Sequence, residues 1–169
     1  MTYLMSEDQR VLNLLRALDR QPGPDHLEFP QDYDHPRART LLAALTQRLG
    51  EDFGHPCTVD EHVQDAAFHA TVTVPAEATE AGTSVAIRMS NFGDLTTAWT
   101  GTGDDLDEAV TRGTLSQPDR HRIESALTGT GCVLVPRSLL HHPYDGATAL
   151  ATFHPDSEPT WWNRFFDHL

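Results

Sequence analysis

The segment RSLLHHPYDG packs Arg137, His141, His142, Tyr144 and Asp145 into nine positions, the densest knot of reactive side-chain types in the chain. A carboxylate beside an imidazole would hold the ring in one tautomer as a general base, and a guanidinium or phenol would steady a developing negative charge. That is the chemistry of a small hydrolase or transferase. The same residues also satisfy a plain loop, in which Pro143 and Gly146 shape a turn and the ring of Tyr144 packs against the core.

A second concentration, GTGDDLDEAV, sets Asp104, Asp105, Asp107 and Glu108 in what reads as an acidic loop. It is not an EF-hand, because Ala109 stands where a carboxylate or amide is required and Val110 where the turn needs glycine. Either it is a solvated face or it is a patch for a basic partner. The ten histidines form no metal pattern: HExxH and HxH are absent, and His55, His62 and His69, though seven apart, fall on different kinds of segment. No metal or other cofactor is expected. GxSxG is also absent, and neither Ser84 nor Ser90 occupies a strand-to-helix elbow. The glycines of GTGDD are followed by acid where a phosphate would need positive potential.

Composition narrows the partners. Twelve arginines and no lysines stand against 25 acidic residues, a formal charge of −13. Such a surface repels nucleic-acid phosphates and anionic lipid heads, so neither nucleic acid nor membrane is an expected partner. Without lysine there is no Schiff-base, P-loop or Ser-Lys chemistry. Cys57 and Cys132 lie far apart without a CxxC pair, which fits a reduced, cytoplasmic setting. The opening MTYLMSEDQR has neither the basic start nor the apolar stretch of a signal peptide, and no run approaches the roughly 18 apolar residues of a membrane helix.

The elements that must position these residues follow from periodicity. Ser6 and Gln9 make a capping box ahead of Val11, Leu14, Leu15 and Leu18, predicting a helix over Glu7–Asp19. Pro22, Gly23, Pro24 and Pro30 predict a long loop, and Leu41, Leu42, Leu45 and Leu49 a second helix closed by Gly50. Residues 67–74 alternate as a strand. SVAIRMSNFGDLTTAW, residues 84–99, splits into two alternating runs about Asn91 and Gly93 and predicts a hairpin. Ser116, Pro118 and Asp119 open a third helix ended by Gly129 and Gly131, and CVLV and ATALATF supply two more strands. The tail SEPTWWNRFFDHL predicts an amphipathic helix that buries Trp162, Phe165, Phe166 and Leu169. Neighbours on a helix diverge by roughly 100 degrees, so Trp161 is expected to lie over a loop or to anchor a partner. The sum is one α+β domain, residues 1–169, with a mainly antiparallel meander sheet of about five strands and helices chiefly on one face.

SVAIRMSNFGDLTTAW and TWWNRFFDHL together resemble segments of bacterial immunity proteins, small acidic modules that neutralise toxins by binding them. The resemblance implies a cytoplasmic α+β protein without catalytic residues that occludes a toxin's active site, a basic toxin domain being the partner. Independently of the resemblance, the acidic run and the paired tryptophans make Asp104, Asp105, Asp107, Glu108 and Trp161 the candidate partner contacts. The alternatives are an enzyme built on His141, His142, Tyr144, Asp145 and Arg137, or a structural or regulatory subunit.

Overall fold

The computed structural model describes residues 7–19, 35–64, 67–90, 95–142, 160–162 and 166. Among the described residues five α-helices and five strands follow in the order α1 (Glu7–Asp19), α2 (His35–Phe53), β1 (Thr58–Gln64), β2 (Ala67–Val74), β3 (Val85–Met89), β4 (Leu95–Thr100), α3 (Leu106–Arg112), α4 (Gln117–Gly129), β5 (Val133–Leu134) and α5 (Arg137–Leu140). This is the expected α+β class. The sheet runs β1-β2-β3-β4-β5 in sequence order. Its first four strands form an antiparallel meander, with Val72 opposite Ile87 and Ile87 opposite Ala98.

Alternation assigns the two faces. Ala70, Val72, Val74, Val85, Ile87, Met89 and Ala98 project to one side and pack under the leucine stripe of α2, the inner faces of α3 and α4, and Leu115. The opposite face carries Leu95, which joins Val11 and Leu15 of α1, Leu139 and Leu140 of α5, Val135, Trp161 and Phe166 in a second, smaller core. The long helix α2 thus shares one face with α3 and α4, and α1 and α5 close the other over β4.

Several details depart from the periodicity. Gly50 does not end α2; the helix continues because Phe53 packs onto the core, and Gly54, at φ 65°, ends it instead. An interior glycine costs about 1 kcal/mol relative to alanine, less than one more buried aromatic returns. β1 has no signature in the sequence, because TVDEHVQ lacks apolar alternation. It is an edge strand bonded only to β2, and its Val59 is 39% exposed, so it has little core to fill. The acidic run is not wholly a loop: Asp105 caps α3, accepting the Glu108 N–H at 3.0 Å, and Gly113 closes the helix at φ 78°. CVLV yields two ladder residues that pair parallel with Leu95 and Thr96, and Val133 is 38% exposed rather than buried. A parallel neighbour needs a crossover, which α3 and α4 provide. The expected strand at 147–153, the loop at 20–34 and most of the expected last helix lie outside the described residues.

Candidate functional site

The C-terminal end of β4 is where the separate sequence candidates meet. After Trp99 the chain turns, and Thr100 N–H donates to Asp104 O at 2.9 Å while Trp99 and Asp105 form an isolated antiparallel bridge. Asp104 is drawn inward, its carboxylate accepting from Arg112 at 2.9 Å and from Thr102 at 3.2 Å. Arg137, at the start of α5, donates from Nη1 to Gly103 O at 3.1 Å. That bond ties the Arg/His segment to the acidic turn, two stretches that looked unrelated in the sequence.

Above this turn lies an aromatic stack. Trp99 and Trp162 meet edge to face at 5.8 Å, and Phe166 and His141 stack on Trp162 at 5.4 and 6.3 Å. The Arg137 guanidinium lies 4.8 Å from the Trp99 ring centre and 5.9 Å from that of Trp162, and Arg88 approaches Trp162 at 5.8 Å. Arg88 also donates to Phe166 O at 2.8 Å and Thr71 Oγ1 at 3.2 Å, tying Phe166 to β2 and β3. Arg137 has no carboxylate partner among the described residues, and its Nε is buried without an acceptor. An unmade buried hydrogen bond costs roughly 1–3 kcal/mol, and the two indole faces offset part of this.

Of the five residues of the acid-base knot, the structure joins Arg137 and His141 on the Trp162 ring. His142 is exposed; its carbonyl accepts the Trp161 N–H at 3.3 Å and its imidazole has no partner among the described residues. Tyr144 and Asp145 lie outside the described residues. Burial against the indole and, second, the positive charge of Arg137 hold the His141 imidazole below its ordinary pKa of 6.5. The folded state therefore binds fewer protons than the unfolded state just below pH 6.5. The contribution of His141 to stability is complete above pH 6.5 and is lost as pH falls through the folded value. Histidine ring NMR is expected to give a midpoint below 6.5 for His141, rising but staying below 6.5 in Arg137→Gln, because desolvation remains. An unshifted wild-type midpoint would contradict the stacked geometry.

The acidic candidates divide by role. Asp105 caps α3 through one carboxylate oxygen, and Asp107, exposed, pairs with Arg120 of α4, which also holds Glu124 at 2.8 Å. Glu108 points to solvent. Trp161 needs correcting: at 1% exposure it belongs to the second core and presents no surface to a partner, whereas its neighbour Trp162 is half-buried within the stack. The inward face was assigned to the wrong tryptophan because the pattern was phased on Trp162, Phe165 and Phe166. Trp99, Trp162 and Arg88 were missed as a group. The available signal was their parity: Arg88, Thr97 and Trp99 lie on the same sheet face, with Arg88 opposite Thr97.

Beside the stack, between α1, α3, α4 and β5, is a groove of about 180 Å³. Among the described residues its apolar lining includes Leu106, Leu134, Val135 and Pro136, and its polar lining Asp105, Asp107 and Arg120. Both cysteines are free thiols, and burial pushes that of Cys57 up. Among the described residues no three His, Cys, Asp or Glu side chains gather as metal ligands, and no helix is long and apolar enough to cross a membrane. No family model, curated protein or solved structure matches this chain.

Proposed function

We propose that the chain is a non-catalytic protein-binding module, an immunity protein or antitoxin that covers the active site of a basic toxin domain. The observation that carries this reading is the composite surface at the end of β4. There a half-buried Trp99–Arg137–Trp162 stack is tied, through the Arg137 bond to Gly103 O and the Trp99–Asp105 bridge, to the turn that leads into α3, whose first turn carries the exposed Asp107 and Glu108. Tryptophan and arginine dominate the energetic centres of protein interfaces, and charged residues form their rims. The two indoles supply rigid contact area at little entropic cost, and Arg137, lacking a carboxylate within the described residues, has donor capacity for one from outside.

Charge supplies the rate. A body of net charge −13 attracts a basic partner over a Debye length of about 8 Å at physiological salt, so opposite charge speeds encounter and the aromatic centre slows release. The test is co-expression of the full chain with the product of the adjacent reading frame, followed by surface binding of the purified pair at low and high salt. Growth is expected to be restored, and the association rate to fall about tenfold or more as salt rises from about 50 to 500 mM. Glu108→Gln should slow association about twofold without changing the melting temperature. Growth that is not restored, or association indifferent to salt, overturns the reading; the latter is the behaviour of a structural subunit with a neutral interface. Turnover of a small substrate that disappears in His141→Gln would replace it with the enzymatic alternative.

A further inference from the structure

The groove beside the aromatic stack has a lining that specifies its occupant. Among the described residues its apolar lining is accessible at the half-buried Leu134 and Pro136, with the buried Leu106 and Val135 behind them, and Asp105 and Asp107 are its carboxylates. One carboxylate oxygen of Asp105 accepts the Glu108 N–H, and the other has no partner among the described residues. Asp107 keeps one oxygen beyond its pairing with Arg120. The lining cation, Arg120, is already shared between Asp107 and Glu124, so an incoming anion would have to displace a carboxylate to reach it. A wholly apolar group would cover two carboxylates and strip their hydration without giving a counter-charge. An apolar stem ending in a cation matches both parts. The volume suits one side chain, since a cavity of about 150 Å³ holds a benzene molecule.

The geometry points to this groove as the receptor for a single basic side chain, an arginine or lysine projecting from the protein partner. The aliphatic stem lies along Leu134 and Pro136, over the buried Leu106 and Val135, and the charged head reaches the open oxygens of Asp105 and Asp107. This rests on the reading of the chain as a partner-binding module and names the chemistry its partner must present. The arrangement uses long basic side chains as they are commonly buried, stem on apolar surface and head at the rim. It also gives Asp105 a second role beyond capping α3.

Small probes separate this claim from the identity of any partner. The full chain is titrated with N-acetyl-arginine methylamide, with the norleucine analogue as an uncharged stem, and with spermidine as a free polyamine, while the methyl resonances of Leu106, Leu134 and Val135 are followed. The arginine amide is expected to shift these methyls saturably and to bind at least fivefold more tightly than the norleucine analogue. In Asp105→Asn that preference should fall to about twofold or less. Asparagine caps a helix as well as aspartate does, so this variant removes charge from the groove while keeping α3. Asp107→Asn is the second variant and breaks only an exposed ion pair, worth about 1 kcal/mol at most. Equal binding of the norleucine analogue, shifts scattered over other acidic surfaces, or saturation by spermidine but not by the arginine amide would each overturn the proposal. If the arginine amide binds as expected and the adjacent gene product does not, the groove stands and the toxin assignment falls.

Discussion

Trp161→Ala should lower stability by about 3–5 kcal/mol, the range for removing a fully buried aromatic side chain. Trp161 is 1% exposed and, with Phe166, is among the largest side chains of the second core. That core is small. Val11 and Leu15 reach it from α1, Leu139 and Leu140 from the single turn of α5, and Leu95 and Val135 from the sheet, so few neighbours can move in to fill the space left by an indole. Native stability is generally about 5–15 kcal/mol, which places this variant near the threshold of folding. With a urea m-value of about 2 kcal/mol/M, the midpoint should drop by about 2 M. Trp161→Phe, which keeps a ring in the site, should lose less than half as much. Trp162→Phe gives the contrast: Trp162 is only half-buried, so its effect should fall mainly on partner association. A loss below about 1 kcal/mol in Trp161→Ala would mean that this tryptophan is not part of the core and would reopen its assignment as a partner contact.

The two tryptophans show where the sequence was readable and where it was not. Alternation in residues 67–74 and 84–99 specifies three neighbouring strands and their inward faces, because a one-residue slip would turn Val85, Ile87 and Met89 to the other side. Helices α1 and α4 were legible from spacing and capping; Ser116 accepts the Asp119 N–H as the pattern requires. β1 left no such trace, since an edge strand is held by backbone pairing to β2 and is not obliged to carry apolar residues on alternate positions. α3 was hidden for a related reason. Seven residues with only Leu106 and Ala109 buried give no periodic stripe, and the acids that suggested a loop are the ones that favour a helix N-terminus.

The candidate site was legible as residue types and not as an assembly. Arg137, His141 and the acidic run were each conspicuous, but their joining depends on the hydrogen bond from Arg137 to Gly103 O, a contact spanning 34 positions to a main-chain atom. No side-chain pattern encodes a backbone acceptor. The same is true of Arg88, whose bond to Phe166 O spans 78 positions. Composition gives charge without orientation: Asp104 turns in to Arg112 and one oxygen of Asp105 to the α3 backbone, so Asp107 and Glu108 are the fully exposed carboxylates of the run and Asp105 keeps one open oxygen.

Asp119 is a second carboxylate that composition would place at the surface and that the fold buries. Asp119→Ala should cost about 3 kcal/mol. Asp119 is 1% exposed; one oxygen accepts the Glu80 N–H at 2.7 Å across 39 positions, the other accepts from Arg122, and its own N–H donates to Ser116 Oγ at 3.2 Å. It thereby pins the turn after β2 to the first turn of α4, where a negative charge is also favoured by the helix dipole. Truncation leaves the Glu80 amide without its acceptor and empties a buried site, and a hydrogen bond to a charged group is worth about 1.5–3 kcal/mol. Arg122 loses less, because it is 38% exposed and can turn to water or to Glu80, 3.9 Å away. Arg122→Ala is therefore expected to cost only about 1 kcal/mol, discounted for solvent screening. Asp119→Asn should fall between the two, since its amide oxygen can still accept from Glu80 but its NH2 faces the Arg122 guanidinium. Urea denaturation gives the order, and native-state hydrogen exchange gives the cause: the Glu80 amide should lose protection in Asp119→Ala beyond the global loss and keep it in Arg122→Ala. Equal costs for the two truncations, or unchanged relative protection at Glu80, would mean that the ion pair and not the buried backbone bond holds this junction.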